Sequence, residues 1–319
     1  MNGFASCDSA AAKYLMTYFR TIKAALDALI AGISQHRAVT PNVALQMAGA
    51  HLRNMSQQWR TGQNPTIAYN DPLCRFAYLY CHTAANAAIC ELFIREHLET
   101  ANFIVEKLNE NEELKVCAFG GGPGTELLAL TKFLRRQHDQ GALHSHGDVN
   151  FTLLDNVPEW AESWNALEAA IKVRFTADFG TRRNWPFTVS KFFQPFDMTR
   201  VEQYANLNQL FIQDLYILNY VVSEIFTEHA ALGNLLNTMA AHAPSGSRFL
   251  FIDRNQEQIV QWCRTLLENA GLVEQHFSES STNMDGDEQS AHLGEYIALV
   301  GWNPRVTWNG AFCLIGVKP

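Results

Sequence analysis

The stretch 114–130, LKVCAFGGGPGTELLAL, constrains the fold of this chain more than any other. An apolar run stops at three consecutive glycines, continues through Pro123 and Gly124, and then becomes a helix-like pattern of leucines. The pattern predicts a strand, a tight turn and a helix. Glycines suit such a turn because they accept positive φ and let a ligand lie directly on the backbone. The helix N-terminus after the turn would offer that ligand unpaired N–H groups and a partial positive charge.

The spacing of the glycines indicates which ligand the turn binds. A dinucleotide fingerprint, G-x-G-x-x-G, fails because Thr125 occupies its last position, and a phosphate-binding P-loop fails because it lacks the required lysine. The spacing that fits is G-x-G-x-G at Gly120, Gly122 and Gly124, with Gly121 inside it. This motif resembles the first motif of the class I S-adenosylmethionine (SAM)-dependent methyltransferases. A glycine-rich turn that binds nothing is the alternative.

The resemblance covers roughly residues 114–319 and implies SAM as the cofactor and methyl transfer as the activity. Class I methyltransferases usually carry an acidic residue at the position of Ala118. Glu126, or a residue from elsewhere in the chain, would therefore have to contact the amino end of the cofactor. Asp155, followed by Asn156, ends the second predicted strand at 149–154. The resemblance implies that Asp155 accepts hydrogen bonds from both ribose hydroxyls; a simple cap for the next helix is the alternative.

The third and fourth predicted strands add further candidates. Asp197 and Met198 follow the strand at 188–193, and the resemblance implies that they contact the adenine amino group and a ring nitrogen. The segment 210–224, LFIQDLYILNYVVSE, is predicted as the fourth strand, with methyl transfer beyond its carboxyl end. Asn219, a further candidate cofactor contact, stands where amino-group methyltransferases begin N-P-P-Y, but the rest of that motif is absent. The residues expected beside the methyl group are Tyr216, Asn219, Tyr220 and Glu224.

Alternating strands and helices with a closing strand pair predict an α/β fold. We expect a Rossmann-like, seven-stranded, mostly parallel sheet with a closing antiparallel strand. Later strands are predicted at 247–253, 272–277 and 311–317, and a polar loop at 278–289, while 295–302 fits either helix or strand. We expect residues 1–112 to form a helical N-terminal cap and residues 113–319 the SAM-binding domain.

Three amphipathic helices are predicted in the cap, over about 9–33, 41–59 and 73–97. Polar and aromatic side chains cluster where the third helix begins, and Tyr69 or Arg75 could contact the cofactor carboxylate there. In the alternative interpretation, Asp71 caps that helix, Pro72 occupies its first position and Arg75 makes a local ion pair.

The charge distribution bears on the methyl acceptor. The net charge is −8, and residues 201–319 hold all of the acidic excess, with 5 basic and 13 acidic side chains. The segment Lys172 to Arg200 has a local basic surplus and could contact the phosphates of RNA, although a solvated basic loop explains it equally well.

A fainter resemblance concerns the segment Arg75 to Tyr78, which precedes the G-G-G-P-G motif. This arrangement is similar to the fungal ribosomal RNA uridine-N3 methyltransferase group. The acceptor is left open among RNA, protein and small molecules. A methyltransferase-like fold that has lost catalysis and serves as a binding or assembly factor is the alternative function.

The hydrophobic pattern and the cysteines indicate where in the cell the protein is located. No stretch of the sequence approaches the length of a membrane span, and residues 1–12 lack the features of a signal peptide. Seven cysteines without a C-x-x-C pair indicate buried thiols in a reducing compartment. We therefore expect a soluble intracellular protein, in the cytoplasm or nucleus, with no metal site.

Overall fold

The computed structural model describes residues 17–61, 67–110, 112–206 and 208–319. In these residues, nine α-helices surround one sheet of seven strands. The start expected for the first helix, near residue 9, lies outside the described residues.

Four helices precede the first strand: α1 (Tyr18–Arg37), α2 (Pro41–Thr61), α3 (Pro72–Glu96) and α4 (Leu98–Asn109). The innermost is α3, since 20 of its 25 residues are buried. It begins as the sequence predicts, because Asp71 accepts a hydrogen bond from the backbone N–H of Leu73 at 2.8 Å and Pro72 occupies the first position. Helix α4 was not predicted as a separate element.

The strands are β1 (Glu113–Phe119), β2 (Gly147–Asp155), β3 (Phe187–Pro195), β4 (Leu215–Asn219), β5 (Arg248–Arg254), β6 (Val273–Asn283) and β7 (Thr307–Val317). Their order in the sheet is β3-β2-β1-β4-β5-β7-β6. Strand β7 is antiparallel to both of its neighbours, and the other pairs are parallel. The predicted mostly parallel sheet with a closing antiparallel strand is confirmed.

The remaining helices are α5 (Thr125–Asp139), α6 (Trp160–Phe179), α7 (His229–His242), α8 (Glu257–Asn269) and α9 (Gly286–Val300). The central strands of the sheet are buried on both faces. Along β1, Val116 and Ala118 join the core formed with α1 to α6, whereas Cys117 and Phe119 join the core formed with α7 and α8. Double-sided burial explains why the central strands are almost entirely apolar.

Two stretches of the chain differ from the sequence-based expectation. The predicted polar loop at 278–289 is wrong, because β6 continues to Asn283 and α9 begins at Gly286. Strand β6 lies at the edge of the sheet with many exposed side chains, so its polar residues are compatible with a strand. The predicted strand at 210–224 is too long, since β4 has five residues and Asn208–Phe211 form a 3-10 helix.

The order of the strands fixes where a ligand can bind. Chain connections run from β1 outward to β2 and β3 on one side, and then return to β4 and β5 on the other. The carboxyl ends of β1 and β4 therefore border the crevice where the strand order reverses, which is the usual ligand position in such sheets.

Three features of the described residues concern membrane-spanning helices, disulfides and metal-binding groups. None of the described helices is long and apolar enough to cross a membrane. The described cysteines, which exclude Cys7, are buried free thiols. Within the described ranges, no group of three or more His, Cys, Asp or Glu side chains could hold a metal ion.

Candidate active site

The glycine turn after β1 adopts the backbone conformations that its composition predicts. Gly120, Gly122 and Gly124 have φ of 59°, 48° and 90°, in the region that favours glycine. Gly120 and Gly122 line a cleft at the carboxyl edge of the sheet. Gly124 instead packs below the cleft, where a Cβ atom would overlap the ring of Trp164. The turn therefore presents its backbone to the cleft while it packs tightly underneath.

Asp155, the last residue of β2, lies in the same cleft. One carboxylate oxygen accepts from the N–H of Gly122 at 2.9 Å, and the other accepts from the N–H of Val157 at 2.9 Å. Burial raises the pKa of Asp155 to about 6, although these backbone donors act in the opposite direction. Each carboxylate oxygen has a second lone pair. The carboxylate can therefore hold the glycine turn and also accept from two hydroxyls of a ligand.

Residues that come after β3 in the chain line another part of the cleft. Asn156, Asp197, Met198 and Thr199 all line it. The carboxylate of Asp197 accepts from the backbone N–H of Thr199 at 3.0 Å and forms an ion pair with Arg200 at 3.2 Å. The structure thus brings these candidates together with the glycine turn and Asp155.

Three aromatic side chains, Tyr69, Tyr78 and Trp160, form one wall of the cleft. Tyr69 and Tyr78 come from the N-terminal region, and their ring centroids lie 5.2 and 5.6 Å from that of Trp160. Trp160, at the start of α6, approaches Gly122, where a Cβ atom would lie 3.6 Å from its ring. The sequence reasoning missed Trp160. Its position in the first turn of the helix after Asp155 was the available signal.

Arg75 does not line the cleft, contrary to the expectation of a direct cofactor contact. Its guanidinium is buried and donates to the backbone carbonyls of Tyr69 at 2.9 Å and Asn70 at 3.0 Å. It also forms an ion pair with Glu162 of α6 at 2.6 Å. Arg75 therefore fixes the turn that carries Tyr69 and ties this turn to α6.

Glu126 and Asn219 also lie outside the cleft lining. They form a buried pair beneath the glycine turn, where the amide nitrogen of Asn219 donates to the carboxylate of Glu126 at 2.9 Å. The other carboxylate oxygen lies 2.9 Å from the position of a Cβ atom on Gly121. Burial raises the pKa of Glu126 to about 7. The pair therefore supports the turn, while Ala118 is entirely buried in the core.

Tyr216 was expected beside the methyl group, but the structure places it in the core. Its hydroxyl donates to the backbone carbonyl of Phe211, and its ring stacks on that of Phe249 at 4.2 Å. The expectation overlooked the alternation of side chains along β4. Residues 217 and 219 point to the opposite face from Tyr216.

A second cavity of about 450 Å³ adjoins the cleft, which itself has a volume of about 110 Å³. Tyr78 and Glu224 line both spaces. Tyr220, with φ of 59°, faces the larger cavity, and its ring stacks on that of Trp308 at 4.5 Å. The described residues that line the larger cavity are Leu52, Ser56, Trp59, Tyr78, Cys81, His82, Asn86, Tyr220, Glu224, Arg254, Trp302, Asn303, Arg305 and Trp308.

Glu224 stands where the two spaces meet. It follows a turn in which the N–H of Ser223 donates to the buried carboxylate of Asp253 at 2.8 Å. Part of the Glu224 side chain is open to solvent, and the walls of the two spaces enclose the rest. Desolvation by the walls of the two cavities, followed by repulsion from Asp253, raises its pKa to about 7. A carboxylate with this pKa can accept and release a proton near neutral pH.

The glycine turn, an acidic residue at the end of β2 and another after β3 thus border one cleft at the carboxyl edge of a Rossmann-like sheet. Residues 18–257 match the family of SAM-dependent methyltransferases. The chain belongs to this family, and it is a SAM-dependent methyltransferase. The resemblance given by the glycine motif is therefore confirmed. No curated protein sequence matches the chain.

The solved structures that match the chain are distant in sequence. An O-methyltransferase family protein from Burkholderia thailandensis is 14% identical, with a TM-score of 0.43, and the match covers 84% of this chain and 70% of that chain. The N-methyltransferase NodS from Bradyrhizobium japonicum WM9, solved with S-adenosyl-L-homocysteine (SAH), is 10% identical, with a TM-score of 0.37 and coverage of 84% and 98%. The precorrin-6y C5,15-methyltransferase from Geobacter metallireducens GS-15 is 11% identical, with a TM-score of 0.36 and coverage of 69% and 88%.

Proposed function

We propose that SAM binds in the cleft, with its ribose on Asp155 and its adenine near Asp197 and Met198. The observation that carries this proposal is the Asp155 carboxylate, which is held by two backbone N–H groups and has two lone pairs left. The glycine turn fits the cofactor because Gly120 and Gly122 expose their backbone without a Cβ atom. SAM supplies an electrophilic methyl carbon on a positively charged sulfur.

We further propose that the methyl acceptor occupies the larger cavity. The two spaces meet at Glu224, so this carboxylate lies where a methyl group would pass from the cleft to the cavity. Glu224 acts as a general base that removes the proton of the acceptor, because its raised pKa makes it a better base than an ordinary carboxylate at neutral pH. The walls contribute by holding the acceptor in line with the methyl group.

RNA as the acceptor gains little support from the side chains of the basic segment. Lys172 and Lys191 pair with Glu168, Arg174 pairs with Asp178, and Arg200 pairs with Asp197. Arg182 and Arg183 are exposed and have no ion pair within the described residues. Two exposed arginines form a smaller basic surface than a protein needs to bind RNA through its phosphates. The fainter resemblance to the fungal ribosomal RNA enzymes stays a prediction.

The test is to incubate the protein with SAM tritiated on its methyl group and, separately, with total RNA, total protein and a metabolite extract. We expect label in the metabolite fraction, because the cavity has the volume of a small-molecule site. Label in RNA alone, lost in Arg182→Ala with Arg183→Ala, would instead support the ribosomal resemblance. Failure of SAH to bind the protein by calorimetry would contradict the proposed cofactor site.

A further inference from the structure

We infer that the methyl acceptor is a planar aromatic small molecule that carries a negatively charged group. The inference rests on the proposed function, since it concerns the larger cavity beside the cleft. It is drawn from the aromatic lining, the unpaired charges and the size of that cavity.

The lining of the cavity is unusually aromatic. Trp59, Trp302 and Trp308, three of the seven tryptophans in the chain, line it together with Tyr78 and Tyr220. Each of these three indole rings is only partly buried, so each retains surface that a ligand can cover. Offset or edge-to-face contact with such rings favours a flat aromatic ligand over an aliphatic one of equal size.

The aromatic walls are held in place before any ligand binds. The indole N–H of Trp308 donates to the amide oxygen of Asn86 at 2.6 Å, and its ring lies within 8° of parallel to that of Tyr220. The rings of Trp59 and His82 meet edge to face at 4.9 Å. The backbone N–H of Arg305 donates to the carbonyl of Cys81 at 2.8 Å, which ties the segment before β7 to α3. A preorganised cavity of this kind binds rigid, flat ligands at little entropic cost.

The charges facing the cavity select an anion. Arg254 and Arg305 line it, and neither guanidinium forms an ion pair within the described residues. The guanidinium of Arg305 lies 4.1 Å from the ring centroid of Trp308. His82 is neutral, because burial lowers its pKa to about 3. Among the described residues of the lining, Glu224 is thus the single acidic side chain, against two arginines.

This local excess of positive charge contrasts with a net charge of −8 for the whole chain. Arginine pairs strongly with carboxylate, sulfonate or phosphate groups through two parallel hydrogen bonds. The two arginines therefore select the anionic group, while the tryptophans select the ring that carries it. A volume of about 450 Å³ suits one such molecule.

The transfer step follows from this placement. The acceptor brings an O–H or N–H group to the junction of the two spaces, and the carboxylate of Glu224 takes its proton. The electron pair freed on oxygen or nitrogen forms the new bond to the methyl carbon. The carbon–sulfur bond breaks, and its electron pair stays on sulfur as a neutral thioether. Glu224 then releases the proton to solvent.

The experiment uses calorimetry on the full chain saturated with SAH. The probe is 2-naphthoate, compared with neutral planar 2-naphthamide and with charged non-planar decahydro-2-naphthoate. We expect both analogues to bind at least about tenfold more weakly than 2-naphthoate, because each lacks one of the two recognition features. Arg254→Gln with Arg305→Gln should remove the advantage of 2-naphthoate over 2-naphthamide. The control Arg264→Gln, on α8 and outside the lining of the cavity, should retain it.

The outcomes separate this inference from the proposed function. If the wild type fails to bind SAH, the proposed function falls and the inference falls with it. If SAH binds normally but 2-naphthoate shows no preference over its analogues, or does not bind, the inference alone is overturned. The inference is also overturned if the preference survives in the double arginine variant. Methyl label recovered only in RNA would overturn it as well.

Discussion

At the scale of single residues, Asp155 links the glycine turn to the expected ribose contact. Its two oxygens accept from the backbone N–H groups of Gly122 and Val157, so the carboxylate is already oriented in the absence of ligand. Orientation before binding reduces the entropic cost of each new hydrogen bond.

The first prediction concerns this carboxylate. Asp155→Asn should weaken SAH binding about 10- to 100-fold, because an amide cannot accept at both positions and a lost charge-assisted contact costs roughly 1.5–3 kcal/mol. Calorimetry measures the affinity, and thermal unfolding reports whether the turn is intact. Asp148→Asn, an exposed change at the other end of β2, is the matched control and should bind SAH normally. Equal affinity in Asp155→Asn and wild type would contradict the ribose assignment.

The second prediction concerns Glu224 as a general base. Because its pKa is raised to about 7, methyl transfer should slow as the pH falls through 7, where the carboxylate becomes protonated. Glu224→Gln should lower the single-turnover rate about 10²- to 10⁴-fold and abolish this pH dependence. The measurement uses tritiated SAM and the acceptor that the labelling experiment identifies.

The affinity for SAH in Glu224→Gln separates two roles of this carboxylate. If Glu224 acts only as a base, Glu224→Gln should bind SAH within about twofold of wild type, because a base affects the transfer step and not the binding of the cofactor product. A large loss of SAH affinity, with a smaller effect on the rate, would instead mean that Glu224 contacts the amino group of the cofactor. Such a contact would replace the acidic residue missing at Ala118.

The third prediction concerns stability and Glu126. Burial raises its pKa from the usual 4.5 to about 7, so the folded protein holds this proton more tightly than the unfolded chain. The stability gained from this proton is complete below pH 4.5 and is lost as the pH rises through 7. Glu126→Gln keeps an acceptor for Asn219 and cannot ionise.

Urea unfolding at pH 5 and pH 8 measures this effect. The free energy of unfolding should fall with rising pH by on the order of 2–3 kcal/mol more in wild type than in Glu126→Gln, because one pKa unit corresponds to about 1.4 kcal/mol. Glu106→Gln, an exposed change on α4, should behave like wild type. Identical pH dependence in Glu126→Gln and wild type would show that the buried carboxyl does not titrate in this range.

At the scale of secondary-structure elements, the predictable parts are those whose burial leaves a pattern in the sequence. Strands β1 to β5 are apolar runs that end at turn residues or acids, so their order and the residues after them could be predicted. Strand β6 is polar because it lies at the edge, and α7 carries Gly233 and Asn234 in its interior, which weaken the helical signal.

The candidate site also has a part that the sequence could predict and a part that it could not. The glycine turn, Asp155 and Asp197 each lie at or just after the carboxyl end of a strand, and a parallel sheet gathers such positions at one edge. The larger cavity takes residues from α2, α3, the turn after β4, the end of β5, the segment before β7 and the start of β7. Only tertiary packing brings those segments together, so no local spacing could have revealed the cavity.

The fourth prediction concerns the turn before α3. Arg75→Met should lower the free energy of unfolding by about 1–3 kcal/mol, since two backbone carbonyls and Glu162 lose their donor. SAH binding should also weaken, because Tyr69 would no longer be fixed against the cleft. Glu162→Gln keeps both backbone contacts and should have a smaller effect on each measurement. Reduced stability with unchanged SAH affinity would restrict Arg75 to a purely structural role.

At the scale of the whole molecule, the N-terminal helices and the sheet share one continuous apolar core. Helix α3 packs on α5, and α1 packs on α6. Buried side chains of all four helices belong to the same cluster as one face of the sheet. The same N-terminal region supplies Tyr69 and Tyr78 to the walls of the site. We therefore propose that residues 1–112 act as a cap for the methyltransferase domain rather than as a domain with a function of its own.

The fifth prediction tests this dependence. Residues 113–319 expressed alone should be poorly soluble and should not bind SAH, because the apolar faces of α5 and α6 would be exposed to water and the aromatic wall of the cleft would be incomplete. The full chain, expressed and purified in parallel, is the control. Size-exclusion chromatography with light scattering measures the state of the fragment, and calorimetry measures SAH binding. A monomeric fragment that binds SAH as well as the full chain does would mean that the cap is dispensable for both folding and cofactor binding.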